Sequence, residues 1–276
     1  MTLEAPREIR HGRSVAEVYD YGAHVWSWHL DDEPVLWTSA HSAFERGKAL
    51  RGGVPICWPW FGPGRSGDLT PAHGFARISG WTLTDVVEGP DATVLTYGLT
   101  SADAPEALPG ETWTLTYEVG VGQGDLALAL TVANDGARPF SYEVALHTYL
   151  TVGDVRRVTV SGLDGASYLD KVTGRREMQA GDVTITAETD RVYDRAGEIV
   201  VDDPVLGRRL HIATDGAANS VVWNPWVAKS STMADFGDDE WPGMLCIEAG
   251  NVLEGAVDLQ PGESSILRYR LTPART

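Results

Sequence analysis

The sequence has few cysteines and few basic residues, and each shortage excludes a class of protein. Its 276 residues contain two cysteines, Cys57 and Cys246, which are too few for a disulfide framework, so we expect two reduced thiols in a cytoplasmic protein. The 22 basic residues are outnumbered by 39 acidic ones, which gives a net charge of −17. Nucleic acids and anionic membranes bind basic surfaces, and neither is an expected partner.

Long apolar segments are also missing. No run approaches the roughly 20 residues that a helix needs to cross a bilayer, and the first 18 residues lack the apolar stretch and cleavage site of a secretory signal. About 43% of the residues are apolar and 22% are charged, as in ordinary globular proteins. We therefore expect a cytoplasmic, monomeric protein that forms a single domain over residues 1–276.

Amphipathic helices longer than two or three turns are absent, whereas alternating patterns recur. In Asp125–Val132 every even position is Leu or Val, which is the period of a β-strand with one buried face. Turn sequences such as Asn134-Asp135-Gly136 supply the positive φ of tight connections. The sequence therefore predicts an all-β, sandwich-like domain. Further strands are predicted at Ala92–Gly98, Thr112–Val119, Val183–Ala187, Glu198–Val201, Arg209–Ala213 and Ser265–Leu271.

The segment from Trp37 to Trp81 does not alternate and is rich in glycine, proline and aromatic residues. Long loops in compact domains usually carry function. Gly52 and Gly53 would allow a ligand to approach the backbone closely. Four aromatic side chains would either stack on a sugar or cap one end of the sandwich: Trp58, Trp60, Phe61 and Phe75.

Two candidate proton-transfer groups lie in strand-like segments. In Ser141–Val152, His147 falls on the face opposite the apolar positions, which fits either a surface histidine or a functional one. In Gly243–Asn251, Glu248 is surrounded by apolar residues. Burial would raise the pKa of this carboxyl toward the range useful for proton transfer, unless an arginine on a neighbouring strand pairs with it.

Other chemistries lack their sequence signals. No phosphate-cradling loop, dinucleotide fingerprint or serine-hydrolase elbow occurs. We expect neither a metal nor a cofactor. Five further histidines show no zinc-ligand spacing with one another: His11, His24, His29, His41 and His211.

The order and spacing of seven motifs resemble those of the D-hexose-6-phosphate mutarotases, also called glucose-6-phosphate 1-epimerases, of the aldose 1-epimerase superfamily. Between about Trp37 and Val252 the motifs are RGGVPICWPWFG, PAHGFAR, LHTYL, TDRVY, VVWNPW, MADF and MLCIEAGNV. The resemblance implies a large antiparallel β-sandwich of the galactose-mutarotase-like supersandwich type. It also implies an isomerase that interconverts the α and β anomers of hexose 6-phosphates without a cofactor.

The resemblance further implies roles for the two proton-transfer groups and their neighbours. His147 corresponds to the general acid that protonates the ring oxygen, and Glu248 to the general base that accepts the proton of the C1 hydroxyl. His73 corresponds to a histidine that binds the sugar near its ring oxygen. Asp190 corresponds to an aspartate that binds sugar hydroxyls, although Asp202 competes for this role.

Arg51 and Arg77 match family arginines that we assign to the sugar phosphate, since a guanidinium donates to phosphate bidentately. Three other functions remain open at this point. An aldose 1-epimerase for unphosphorylated sugars would give both arginines structural roles, and a sugar-binding module would use the aromatic cleft without catalysis. A glycosidase would pair Glu248 with a second carboxylate, but His147 would then have no role.

Overall fold

The computed structural model describes residues 2–104 and 112–276, and most of their regular structure is antiparallel β. An N-terminal sheet has the order β1-β2-β3-β4 and consists of β1 (Arg7–His11), β2 (Ser14–Tyr19), β3 (His24–Leu30) and β4 (Glu33–Pro34). The other strands, in chain order, are β5 (Ile56–Cys57), β6 (Thr82–Glu88), β7 (Ala92–Thr100), β8 (Trp113–Gly122), β9 (Leu126–Asn134), β10 (Phe140–Tyr142), β11 (Val144–Leu146), β12 (Tyr149–Thr151), β13 (Thr159–Ser161), β14 (Ser167–Asp170), β15 (Arg175–Met178), β16 (Thr189–Tyr193), β17 (Ile199–Asp203), β18 (Arg208–Asp215), β19 (Asn219–Asn224), β20 (Met244–Asn251), β21 (Val257–Leu259) and β22 (Ser264–Arg275).

Two eight-stranded sheets dominate the described residues. The regular sheet, as we call it, has the order β13-β17-β18-β22-β9-β8-β7-β6. The interrupted sheet has the order β15-β14-β16-β19-β20-β11-β5, and β12 also pairs with β20. β10 and β21 form a separate pair. The predicted all-β, antiparallel fold is confirmed.

The regular sheet follows the predicted alternation. In β9, Leu126, Leu128 and Leu130 are buried, while the alanines between them are partly exposed. β22 pairs with β9 without interruption over eight residue pairs. Burying each of these leucines contributes about 1.5–3 kcal/mol, so this sheet forms one continuous wall of the core.

The centre of the interrupted sheet is covered on both faces. All eight residues of β20 are buried. Leu245 and Ile247 point into the core between the large sheets, whereas Met244 and Cys246 join a separate apolar cluster on the other face. The hydroxyl of Tyr269 on β22 donates to the Ile247 carbonyl at 3.1 Å, which connects the two sheets.

Two predicted strands need correction. Val183–Ala187 is not a strand, because Val183 makes only an isolated bridge to Val160. The alternation in this segment reflects the burial of Val183 and Ile185, not pairing along a ladder. Ser141–Val152 is not one strand but three, β10, β11 and β12. The amide of His147 donates to the Pro55 carbonyl instead of a sheet neighbour, so the aromatic loop interrupts the ladder at this histidine.

Helical structure in the described residues is short, as predicted. Helix α1 spans Trp226–Ser230, and 3₁₀ turns lie at Ala76–Ile78, Trp241–Gly243 and Leu253–Gly255. No helix in the described part of the chain is long and apolar enough to cross a membrane. The segment from residue 37 to 81 contains one short strand, β5, which agrees with its weak strand signal.

Candidate active site

The fold brings His147 and Glu248 into contact. His147 lies in the gap between β11 and β12, and Glu248 lies on the neighbouring strand β20. Nε2 of His147 is 3.4 Å from Oε1 of Glu248. The residues are 7% and 1% exposed. The two groups chosen from distant parts of the sequence therefore form one buried acid–base pair.

His147 is held against an aromatic ring. Its imidazole stacks on Tyr149 with ring centroids 4.7 Å apart and an angle of 17° between the planes. Burial holds the pKa of His147 well below its ordinary value, and the nearby charges of Arg51 and Arg77 lower it further. Because each of these effects disfavours the imidazolium, the free protein holds a neutral ring.

The pKa of Glu248 is shifted in the opposite direction to that of His147. Burial raises the pKa of its carboxyl well above the ordinary value, and the charge of Asp190 raises it further, while Lys171 and Arg77 act in the other direction. Its Oε1 contacts Nε2 of the neutral His147, not an arginine of a neighbouring strand. The carboxyl therefore keeps its proton to a higher pH than an exposed glutamate does.

His73 packs beside the pair and has a defined tautomer. Its ring centroid is 5.7 Å from that of His147. Nδ1 accepts a hydrogen bond from the Gly62 amide at 3.3 Å and contacts Sγ of Cys57 at 3.4 Å. Burial and the charge of Arg77 lower the pKa of His73 well below its ordinary value. The neutral ring therefore carries its proton on Nε2, which is a hydrogen-bond donor for a ligand.

Strand register places Asp190 on the face that carries Cys246 and Tyr149. Asp190 pairs with Trp223, which pairs with Cys246, which pairs with Tyr149, and directly opposed residues share a face of the sheet. Asp202 instead lies on β17 of the regular sheet, in a 2.7 Å ion pair with Arg209. Of the two candidate aspartates, Asp190 is the one at the site.

The two predicted arginines already have partners. Arg51 forms an ion pair with Asp235, with Nη2 3.0 Å from Oδ2, and donates from Nη1 to the Tyr149 hydroxyl at 2.8 Å. Arg77 donates from Nη2 to the Ala72 carbonyl at 2.6 Å, and its Nε has no partner. Arg51 is thus joined to the acid–base pair through the ring that stacks on the histidine.

The sequence reasoning missed three residues at this site. Lys171 places its ammonium 5.0 Å from the centroid of the Phe61 ring and 3.7 Å from Oδ2 of Asp190. Tyr149 and Asp235 lie in the LHTYL and MADF motifs, so those motifs carried a usable signal. Lys171 stands in no motif that we singled out, and its position depends on the β14–β16 pairing.

Several residues of the loop have structural roles instead of the predicted ligand contacts. A Cβ on Gly53 would lie 2.1 Å from the Val25 carbonyl oxygen, so this glycine allows close packing on β3. Trp58 and Phe75 are buried in the main core, with Trp58 4.4 Å from the Trp113 ring. These two aromatic rings are therefore core residues and are not exposed for stacking on a sugar.

One group of side chains has the composition of a metal-binding set. A ring nitrogen of His147, the thiol of Cys246 and a carboxylate oxygen of Glu248 lie within 4.8 Å of one another. Both cysteines are free and buried, as expected for reduced thiols. The histidine spacing considered in the sequence could not reveal this set, because only one of its members is a histidine.

Comparison with known proteins identifies the family to which this sandwich belongs. A family model for aldose 1-epimerase matches residues 7–272, so the chain belongs to the aldose 1-epimerase family. An Escherichia coli protein named provisionally as a glucose-6-phosphate 1-epimerase is 38% identical over 237 residues, which are 84% of this chain and 78% of that protein.

Two further relatives extend the likeness. A Cenchrus ciliaris protein of the same provisional name is 38% identical over 261 residues, which are 90% of this chain and 78% of that protein. The crystal structure of a Salmonella typhimurium protein described as a candidate mutarotase matches with a TM-score of 0.89 at 34% identity, over 98% of this chain and 90% of that chain. The expected family and sandwich type are confirmed.

Proposed function

We propose that this protein interconverts the α and β anomers of hexose 6-phosphates, with glucose 6-phosphate as the first substrate to test. The observation that carries the proposal is the 3.4 Å contact between Nε2 of His147 and Oε1 of Glu248. The cationic side chains of Arg51, Arg77 and Lys171 act on this histidine. The provisional names of the Escherichia coli and Cenchrus ciliaris relatives support the phosphorylated substrate.

Mutarotation needs an acid and a base at neighbouring atoms. The C1 hydroxyl loses its proton to Glu248 while the ring oxygen accepts a proton from His147, and the bond between C1 and the ring oxygen breaks to give the open aldehyde. Rotation about C1–C2 and reclosure on the other carbonyl face produce the other anomer, and each group regains its original proton state. Both reacting oxygens are bonded to C1, so an acid and a base in contact suit the reaction.

The surrounding cations suit a phosphate group. Arg51, Arg77 and Lys171 each lower the pKa of His147, so their positive potential reaches the reacting atoms. A phosphate dianion bound among them would offset that potential and raise the pKa of His147 toward the value of a general acid. Substrate binding would thereby prepare the proton donor, and an unphosphorylated sugar would lack this effect.

One observation favours the alternative of an unphosphorylated substrate. Arg51 already has a carboxylate partner in Asp235, so a phosphate must share the guanidinium with Asp235 or displace it. If the ion pair persists, Arg51 serves only to hold Tyr149 through its hydroxyl. The two substrates therefore have to be compared directly.

Two-dimensional exchange NMR at neutral pH makes the comparison, because it follows α/β interconversion at equilibrium with and without the protein. Acceleration of glucose 6-phosphate but not of glucose is the expected result. Comparable acceleration of both sugars would favour the unphosphorylated substrate class. Absence of acceleration for either sugar, with binding retained, would contradict the proposal and leave a sugar-binding module.

A further inference from the structure

Cys246 has no task in the proton transfers described above, yet it lies beside them. It stands two residues before Glu248 on β20 and therefore shares its face of the sheet. The thiol is fully buried in an apolar cluster that includes Tyr149 and Trp223. A buried thiol next to a histidine and a glutamate is a set of donors that zinc prefers.

The distances are close to those of a zinc site. Ligand atoms around tetrahedral Zn²⁺ are about 3.5 Å apart, given bonds of roughly 2.0–2.3 Å. Nε2 of His147 and Oε1 of Glu248 are already 3.4 Å apart. A ligand atom of Cys246 lies within 4.8 Å of ligand atoms on both, so a shift of about 1 Å in the thiol would complete three ligands and leave a fourth position open.

Two buried polar atoms of the same side chains lack partners. Nδ1 of His147 and Oε2 of Glu248 have no hydrogen bond, in residues that are 7% and 1% exposed. Buried polar atoms without partners are costly. A bound cation would interact favourably with this carboxylate and would compensate for burying a thiolate, whose proton leaves to solvent when the metal binds.

The neighbouring charges limit the affinity. Lys171 and Arg77 are near enough to Glu248 to lower the pKa of its carboxyl, and Asp190 is near enough to raise it. Two cations therefore oppose a divalent metal and one carboxylate favours it, and we expect reversible binding of zinc. Because the metal would use both members of the acid–base pair, its presence and catalysis are mutually exclusive.

We propose that His147, Cys246 and Glu248 form a site for Zn²⁺ whose occupancy inhibits mutarotation. The inhibition rests on the proposed function, whereas metal binding does not. The metal has no part in the reaction itself, which needs only the two side chains.

Binding is tested with Co²⁺ as a spectroscopic substitute on the full chain. We expect a thiolate-to-cobalt charge-transfer band in the wild-type protein and in Cys57→Ala, which removes the other buried cysteine. The band should be absent in Cys246→Ala and in Cys246→Ser, the second variant preserving side-chain volume. Calorimetric titration with Zn²⁺ should show a loss of affinity of more than about tenfold in both Cys246 variants, because a thiolate ligand is lost.

The outcomes separate the site from the proposed function. A charge-transfer band that persists in the Cys246 variants, or its absence in the wild type, would overturn the site. Zn²⁺ should slow anomer exchange by the wild-type protein and leave each Cys246 variant at its own metal-free rate; equal inhibition of all proteins would also overturn it. A cobalt band through Cys246 in a protein without mutarotase activity would retain the metal site and remove the proposed function.

Discussion

The two eight-stranded sheets are built in opposite ways. The regular sheet is built around long strands such as β7, whose nine residues alternate between buried and partly exposed positions. The interrupted sheet has strands as short as two residues, and its central strand β20 is buried on both faces. The chemistry-bearing side chains His147 and Glu248 lie on the interrupted sheet and its connections.

The difference has a physical cause. A strand that alternates regularly satisfies its backbone groups within the ladder. At the break between β11 and β12, the amides of His147 and Tyr149 donate to Pro55 and Gly53 of the aromatic loop. The loop thus positions the backbone of His147, while Nδ1 of its ring has no hydrogen-bond partner. Four variants test this contrast.

The largest effect is expected at the acid–base pair. His147→Asn and Glu248→Gln each remove one proton-transfer group while preserving approximate shape, and each should lower the exchange rate of glucose 6-phosphate by about 10² or more. Exchange NMR measures the rate, and circular dichroism verifies the fold. Near-normal turnover in either variant would remove that residue from the mechanism.

On the regular sheet we expect a change in stability without a change in catalysis. Leu128→Ala removes a buried side chain of β9 and should lower the free energy of unfolding by about 2–5 kcal/mol. Urea denaturation measures this loss, and Ala129→Ser on the outer face is the matched control, with an expected change within about 0.5 kcal/mol. The exchange rate of the folded Leu128 variant should equal that of the wild type; a large loss of rate would mean that the two sheets are functionally coupled.

A smaller and more selective effect is expected at Arg77. Arg77→Gln should raise KM for glucose 6-phosphate by about tenfold, as for loss of a charged hydrogen bond, with little effect on glucose. It should also raise the pKa of His147, because a cation that lowers it is removed. Arg209→Gln is the control, since Arg209 is an exposed arginine of the regular sheet. Equal effects on both sugars would indicate a packing role for Arg77.

The smallest effect concerns stability as a function of pH. Since the pKa of Glu248 is raised above 4.5, the folded protein keeps a proton that the unfolded chain loses, and the free energy of unfolding falls as pH rises through that window. Since the pKa of His147 is lowered below 6.5, the unfolded chain binds a proton first as pH falls, and the free energy falls toward acid.

Glu248→Gln should therefore flatten the alkaline side of the stability profile, and His147→Asn the acidic side. Urea denaturation between about pH 5 and pH 9 measures the profiles. If both variants keep the wild-type slopes, the proposed displacement of the two pKa values is wrong.

The sequence by itself determined most strands of the regular sheet, and it predicted the acid–base pair. Alternation in segments such as Asp125–Val132 specifies which residues are buried, because the period of a strand is local. The motifs LHTYL and MLCIEAGNV pointed to His147 and Glu248. The apolar neighbours of Glu248 already indicated a raised pKa, since burial disfavours the charged carboxylate.

Only the tertiary structure decided how distant segments meet. The pairing of Arg51 with Asp235, the position of Lys171 near Asp190 and the approach of Cys246 to His147 all join residues far apart in sequence. The interruption of Ser141–Val152 has the same origin, because the distant loop at Gly53 and Pro55 accepts its backbone hydrogen bonds. Local patterns specify strands and faces, whereas ion pairs and ligand sets depend on the register and stacking of whole sheets.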